Sequence, residues 1–227
     1  MTLIELNTEL LRCELCPRLV AWREKMATEK RRAYRGQDYW GKPVPGFGDH
    51  NARVFVIGLA PGAHGSNRTG RQFTGDASGD FFYPALYRAG FASQPYSKSR
   101  EDGLILYDLY TAPVCRCAPP ANKPTSEEMD NCQVYLEREI GIISPKIFVA
   151  LGRIAFERIF HILEIKRIKE NFKHNSVYEL PDGRWLVCSY HPSRQNTQTK
   201  RLTEEMFDNV WMTVRGLIKS GEPYNKR

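Results

Sequence analysis

The stretch Val54-Phe55-Val56-Ile57-Gly58-Leu59-Ala60-Pro61-Gly62 carries the reading of the whole chain. Four apolar residues, three of them β-branched, stop at a glycine and enter a Gly-x-x-Pro-Gly turn. Such a run predicts a strand buried on both faces that ends in a tight loop. Ile147-Phe148-Val149-Ala150-Leu151 has the same character and is stopped by Gly152. So has Trp185-Leu186-Val187-Cys188, which enters Ser189-Tyr190-His191-Pro192-Ser193. Residues 104–110 are a further strand candidate. Helical patterns lie between these runs. One covers residues 79–89, and one is opened by Pro124 and Thr125. Thr125 with Glu128 three residues on is a capping box, and Val134, Leu136 and Ile140 help supply an apolar face. An amphipathic segment runs through Phe160. A last helix over about 203–218 repeats Phe207, Val210, Trp211, Val214 and Leu217 at three and four residues. At the front, Leu3, Leu6, Leu10 and Leu11 have helical spacing that ends near Cys13-Glu14-Leu15-Cys16-Pro17. Strands alternating with helices predict an α/β fold, a mainly parallel sheet flanked by helices on both faces, in a single domain over 1–227. Ligands of such sheets sit at the carboxyl ends of the strands. The loops 58–62 and 189–196 are therefore where chemistry is expected.

Composition narrows the class. The chain has 227 residues, 41% of them hydrophobic and 26% charged, which excludes a disordered chain. A domain of that length buries roughly 70% of its unfolded surface, so it needs no disulfide staple. Six cysteines are too few for a small secreted scaffold. No apolar run approaches a membrane span, and the front of the chain carries acids where a signal peptide carries bases. A cytoplasmic, intracellular protein with no membrane partner is expected. Lys and Arg total 33 against 26 Asp and Glu, a formal charge of +7. That balance favours a polyanionic partner, above all nucleic acid. Residues 23–35 read as an exposed charged helix or a mobile basic segment, and within them Lys25 to Arg35, with Lys200 and Arg201, are candidate phosphate contacts.

Cys13 and Cys16 form a C-x-x-C pair, with Cys117 and Cys132 far downstream. In an intracellular chain this suggests a metal or cluster before a disulfide. Four thiolates suit either Zn²⁺ or an iron–sulfur cluster, and spacing does not separate the two. Cys115 and Cys188 read as buried free thiols.

Gly58-Leu59-Ala60-Pro61-Gly62, together with Gly70-Arg71-Gln72-Phe73-Thr74-Gly75-Asp76, resembles the first motif of the uracil-DNA glycosylase superfamily; His191-Pro192-Ser193 resembles its last. The extended form of both, with the cysteine pattern, resembles the family 5, or type B, iron–sulfur uracil-DNA glycosylases over roughly residues 10–205. The resemblance implies a monofunctional DNA glycosylase of base excision repair. It implies a [4Fe-4S] cluster on Cys13, Cys16, Cys117 and Cys132. Asp76 and His191 become the catalytic pair, and Gly58, Leu59, Ala60, Gly62, Phe73, Asn122 and Ser193 the base-binding set. Arg194, Gln195 and Asn196 would contact DNA. The partner is DNA containing uracil or another deaminated base, and a monomer is expected, with a sliding clamp admitted as a further partner.

The chemistry stands beside the likeness. Breaking an N-glycosidic bond needs a flipped base, a donor for negative charge building on that base, and a carboxylate or dipole near the sugar. His191 at a strand end suits the donor. Asp76 suits the carboxylate, and Asp-x-Ser-Gly before a helix is also a good N-cap. Phe73 suits a stacking face. No Lys in these motifs suggests a Schiff base, so strand cleavage is not expected. Two features depart from the superfamily. Leu59 stands where many members carry an acidic or amide side chain, and Tyr110-Thr111-Ala112-Pro113 holds no Asn to read a pyrimidine edge. Both predict a substrate range broader than uracil, including hypoxanthine or xanthine. Two other classes remain open on sequence: a non-catalytic nucleic-acid-binding module with a structural Zn site, and a different hydrolase on a related sheet.

Overall fold

A computed structural model describes residues 1–165 and 171–220; the domain span expected from sequence, 1–227, extends past them at 166–170 and 221–227. Six strands form one sheet in the order β1-β3-β2-β4-β6-β5. β2 (Val54–Gly58), β3 (Leu109–Pro113), β4 (Ile147–Leu151) and β6 (Trp185–Ser189) run parallel. β1 (Phe47–Gly48) and β5 (Val177–Glu179) close the two edges antiparallel. The α-helices of the described residues are α1 (Leu3–Leu10), α2 (Pro17–Glu29), α3 (Ser66–Thr69), α4 (Ala77–Arg88), α5 (Ser126–Ile143), α6 (Arg153–Ile162), α7 (Arg194–Gln198) and α8 (Glu204–Ser220). No helix among these residues is long and apolar enough to cross a membrane.

Every residue of β2 is buried. Val54 and Val56 point into a core with Phe82 and Leu86 of α4 and Phe207 and Trp211 of α8. Phe55 and Ile57 point the other way, toward Leu6 and Leu10 of α1, Leu136 and Ile140 of α5, and Phe156 and Ile159 of α6. A strand covered on both faces has no solvent side, which is why its sequence is continuously apolar instead of alternating. Each such side chain contributes roughly 1.5–3 kcal/mol by leaving water. Because β3 lies on one side of β2 and β4 on the other, a crevice opens at their carboxyl ends. The 58–62 loop lies there.

The capping box at Thr125 and Glu128 is present, and Arg18 adds two bonds to the Glu128 carboxylate at 2.7 and 2.6 Å. Elsewhere the elements differ from the sequence reading. The strand expected over 104–110 begins only at Leu109. Asp108 turns the chain at φ 55 and accepts two hydrogen bonds from Arg53 Nε, so pairing in the main sheet starts after it, and Leu106 before it makes only an isolated antiparallel bridge with Ala92. Leu104 and Leu106 pack into the core from the preceding loop. β1 and β5 are too short to leave a periodic trace. The basic segment is not wholly solvated: Arg23 is only 4% exposed.

Candidate active site

Residues 63–76 look like a polar surface loop in sequence, yet Ser66, Asn67, Arg68, Arg71, Gln72 and Thr74 are buried. Buried polar groups must be paired, and two arginines do most of the pairing. Arg68 donates to the His64 carbonyl at 2.7 Å, to Gln37 at 2.6 Å and to the Gly75 carbonyl at 2.8 Å. Arg71 donates to Ser97 at 2.6 Å and to Asp102 at 2.7 Å. Charge-assisted bonds of this kind are roughly twice as strong as neutral ones. They hold the start and the end of the motif in one rigid unit.

Asp76 sits at the end of that unit as N-cap of α4. Its Oδ1 accepts from the Ser78 and Gly79 amides, both at 3.0 Å. Its Oδ2 faces the first loop so closely that a Cβ at Gly65 would stand 1.9 Å from it, and one at Gly62 3.2 Å. Only glycine at 65 permits this approach. Burial pushes the Asp76 carboxyl up from its ordinary value, against the opposing effect of the Gly79 and Ser78 amides. Phe73 has φ 53, a left-handed backbone that costs a non-glycine residue about 1–3 kcal/mol. That strain is held by the Arg68 and Arg71 bonds and by Tyr83, whose hydroxyl donates to the Gln72 carbonyl at 2.8 Å. The Phe73 ring packs on Phe82 at 4.4 Å between centroids and lies 6.0 Å from the His191 ring.

His191 follows β6. Gly152, at φ 97 after β4, lets the neighbouring loop come within contact of it: a Cβ there would lie 3.6 Å from the His191 Cβ. Asn196 donates its amide to the His191 carbonyl at 2.8 Å, and Ser193 caps α7 by accepting from the Asn196 amide. Among the described residues the imidazole makes no hydrogen bond with the protein, and the residue is partly exposed. Desolvation lowers its pKa to about 4, so the ring is neutral at pH 7 and offers one N–H donor. Titration of the ring by NMR is expected to show it neutral from pH 8 down to about 5. A midpoint at the ordinary histidine value near 6.5 would contradict this environment.

The other expected site residues lie on the loops and short helices that follow the strands. Leu59 and Ala60 continue the loop from Gly58. Arg194 and Gln195 are exposed on the first turn of α7. Asn122 is exposed at φ 55 in the turn beyond β3. Arg201 stacks on Tyr190, 4.8 Å from its centroid, and Tyr39 bonds His64 at 3.0 Å. Arg31 is exposed and its charge helps lower the His64 pKa, after burial.

Cys13, Cys16, Cys117 and Cys132 line one small cavity with Leu10, Leu19, Val20 and Pro43. None is in a disulfide. Arg23 Nη1 donates to Cys117 Sγ at 3.0 Å, and the Arg116 amide to Cys132 Sγ at 3.2 Å. Both donors favour sulfur that carries negative charge. Burial nevertheless pushes the thiols up, Cys117 to about 11 and Cys132 to about 12. Among the described residues no group of three His, Cys, Asp or Glu converges to hold a metal ion directly. Cys115 and Cys188 are fully buried, the first beside this cavity but not lining it, the second in β6. Arg23 also ties the cavity to the catalytic loop, because its carbonyl accepts from Asn67 at 3.1 Å. The sequence reading assigns no role to Arg23, Asn67, Arg68 or Gln72, although Asn67, Arg68 and Gln72 lie within the span of the first motif. Their burial depends on elements distant in the chain, and a short window shows only polarity.

A family model described as "Uracil DNA glycosylase superfamily" matches residues 45–215. Among curated proteins the chain is 54% identical to the type-5 uracil-DNA glycosylase of Thermus thermophilus, over 90% of this chain and 93% of that one. It is 45% identical to the type-5 enzyme of Pyrobaculum aerophilum, over 88% and 87%. A type-4 enzyme from Archaeoglobus fulgidus is more distant, at 31% over 66% and 70%. The glycine-lined loop, its half-buried carboxylate and the strand-end histidine lie inside the matched span, and the chain belongs to the uracil-DNA glycosylase superfamily, within its type-5 group.

Proposed function

We propose that this chain hydrolyses the N-glycosidic bond of uracil in DNA and leaves an abasic site for base excision repair. The observation that carries this reading is the convergence of two loops at the switch point of the sheet. His191 lies 6.0 Å from Phe73, and Asp76 Oδ2 is pressed against Gly62 and Gly65. A base flipped out of the stack would enter between them. Neutral His191 donates a hydrogen bond to the base carbonyl as negative charge builds there, and removal of one such donor costs about 10²–10³ in rate. Asp76 Oδ2 orients water or balances positive charge on the sugar. The Phe73 ring and the backbone of 58–62 hold the base plane. Leu59 is apolar at the loop's second position and excludes nothing by charge, so hypoxanthine and xanthine belong in the substrate range.

The four cavity cysteines fit a [4Fe-4S] cluster through their shared cavity and the N–H donors on three of the sulfurs, from Arg23 to Cys117, the Arg116 amide to Cys132 and Asn131 to Cys16. When bound, a cluster supplies covalent cross-links between the 13–16 segment, the turn after β3 and α5; hydrolysis asks no electron of it. Cys13, Cys16, Cys117 and Cys132 would hold it. Cys117→Ser is expected to abolish visible absorbance and bound iron in anaerobically purified protein, and Cys115→Ala and Cys188→Ala to retain both. Zinc in place of iron and sulfide would refute the cluster.

The deciding assay uses a labelled duplex with one U opposite G. Wild type should yield a break only after alkali, and His191→Ala should be slower by about 10²-fold or more. Duplexes with hypoxanthine or xanthine test the wider range. No abasic product from any of the three would refute the reading.

A further inference from the structure

Gln72 is 2% exposed, and its side-chain amide is half satisfied. Thr111 Oγ1, itself fully buried on β3, donates to Gln72 Oε1 at 2.9 Å. That bond turns the amide so that its NH₂ points away from β3. Nε2 then lies over the end of β2, where a Cβ on Gly58 would stand 2.7 Å from it and 3.0 Å from the edge of the Phe73 ring. Among the described residues Nε2 has no protein partner. Unlike Trp22 Nε1 or Asn67 Oδ1, it is not sealed off as a buried unpartnered atom. The residue's backbone is pinned as well, because Tyr83 and Thr74 both donate to the Gln72 carbonyl, at 2.8 and 3.2 Å. A donor has been fixed in place, buried, and left open on the crevice side.

Resting on the function proposed above, we infer that Gln72, oriented by Thr111, is a specificity-determining residue that donates a hydrogen bond to a carbonyl oxygen of the flipped base. Deamination replaces an amino group by a carbonyl: cytosine N4 becomes uracil O4, and adenine N6 becomes hypoxanthine O6. Cytosine and adenine present N–H donors at these positions. A locked NH₂ donor is satisfied by the deaminated base and left unpaired against the undamaged one. Sites built on such a bond reject a mismatched partner more strongly than apolar pockets reject a change of size, because a buried polar group is left without a partner. One fixed donor reads the carbonyl that uracil and hypoxanthine share and their parent bases lack; guanine already carries O6, so this bond does not separate xanthine from guanine.

The test uses the full-length protein with any bound cluster retained. Gln72→Met keeps the side-chain volume and removes the donor; Thr111→Val keeps β3 and releases the amide to rotate. Three quantities are measured: kcat/KM on uracil and hypoxanthine duplexes, inhibition by free uracil, and affinity for an abasic duplex. Gln72→Met should lower kcat/KM on both substrates by about fivefold to tenfold, the worth of one neutral hydrogen bond. Free uracil should inhibit it more weakly by a similar factor, with abasic-duplex affinity unchanged. Thr111→Val should weaken uracil inhibition by about twofold to threefold, a smaller loss than in Gln72→Met because the amide can still find the same pose part of the time. A folded Gln72→Met within twofold of wild type in rate and uracil inhibition overturns the assignment. So does an equal loss of uracil inhibition and abasic-duplex affinity, which marks general damage to the loop. If Gln72→Met does not fold, Thr111→Val decides: unchanged uracil inhibition overturns the assignment, and weakened inhibition with intact abasic binding supports it. Wild type inactive on every duplex would sink the glycosylase reading instead, and calorimetric binding of free uracil to wild type and Gln72→Met would then decide the role of Gln72.

Discussion

Asp76→Asn should slow release of uracil by about 10²–10⁴-fold, the range attributed to a positioned acid–base group, without loosening the fold. The substitution separates two roles of one side chain. Asn keeps an oxygen that accepts from the Ser78 and Gly79 amides, so the cap of α4 survives. What disappears is the charge on the oxygen facing Gly62 and Gly65. The pH behaviour follows from the raised pKa, for which burial is the largest cause. A carboxyl whose folded pKa lies above its unfolded value binds protons more tightly when folded. Stability from this group is therefore greatest in acid and declines as pH rises through the interval between the two values. At neutral pH ionised Asp76 is held at a cost, so the thermal midpoint of Asp76→Asn should equal or exceed that of wild type. Activity moves oppositely: it should fall in acid at a pH above the ordinary carboxylate range. A variant within threefold of wild-type kcat would remove Asp76 from the chemistry, and a lowered midpoint with lost activity would make it a cap alone.

The second large effect concerns stability. Glu139→Ala should destabilise the protein by about 3–5 kcal/mol, a large part of the 5–15 kcal/mol that holds a typical domain. Arg116 and Glu139 are each 1% exposed at the side chain and paired through two contacts, and Tyr110 adds a hydroxyl donor to the same carboxylate at 3.1 Å. Removing the carboxylate leaves a buried guanidinium with no counter-charge. Exchanging both partners for apolar residues, Arg116→Met with Glu139→Leu, should recover most of the loss, since a buried pair contributes little beyond its own desolvation. Urea unfolding of the single and double variants measures this. A Glu139→Ala variant within 1 kcal/mol of wild type would mean that water reaches the pair. The pair also sits beside the cysteine cavity. The Arg116 amide bonds Cys132, and its carbonyl accepts from Val44 at 2.7 Å. Disturbance there should appear in the cysteine site before it appears in Asp76 or His191.

The layout of the chain is legible without coordinates because its cause is local. Residues 54–57, Ile147–Leu151 and residues 185–188 are apolar throughout, because these strands are covered on both faces, and short-range pattern suffices to show it. The Asp76 and Thr125 caps are likewise written within three residues. Gly58, Gly62, Asp76 and His191 can be singled out because each adjoins a strand end or a helix start. Sequence alone thus determined the parallel core, the two loops at its strand ends, the Asp76 cap and the four cysteines that share a cavity.

Only the tertiary structure decided the rest. Arg23 and Asn67 are polar letters until α2 is laid against α3. Gln72 is indistinguishable from a surface glutamine until Thr111, thirty-nine positions away, takes its oxygen and leaves its NH₂ over Gly58. The 104–110 stretch reads as a strand until the bonds between Arg53 and Asp108 show where pairing begins. Helix and strand periodicity record which face of an element leaves water. Which buried polar atom finds a partner depends on residues that meet only after the sheet has closed, and that information is stored in no single segment.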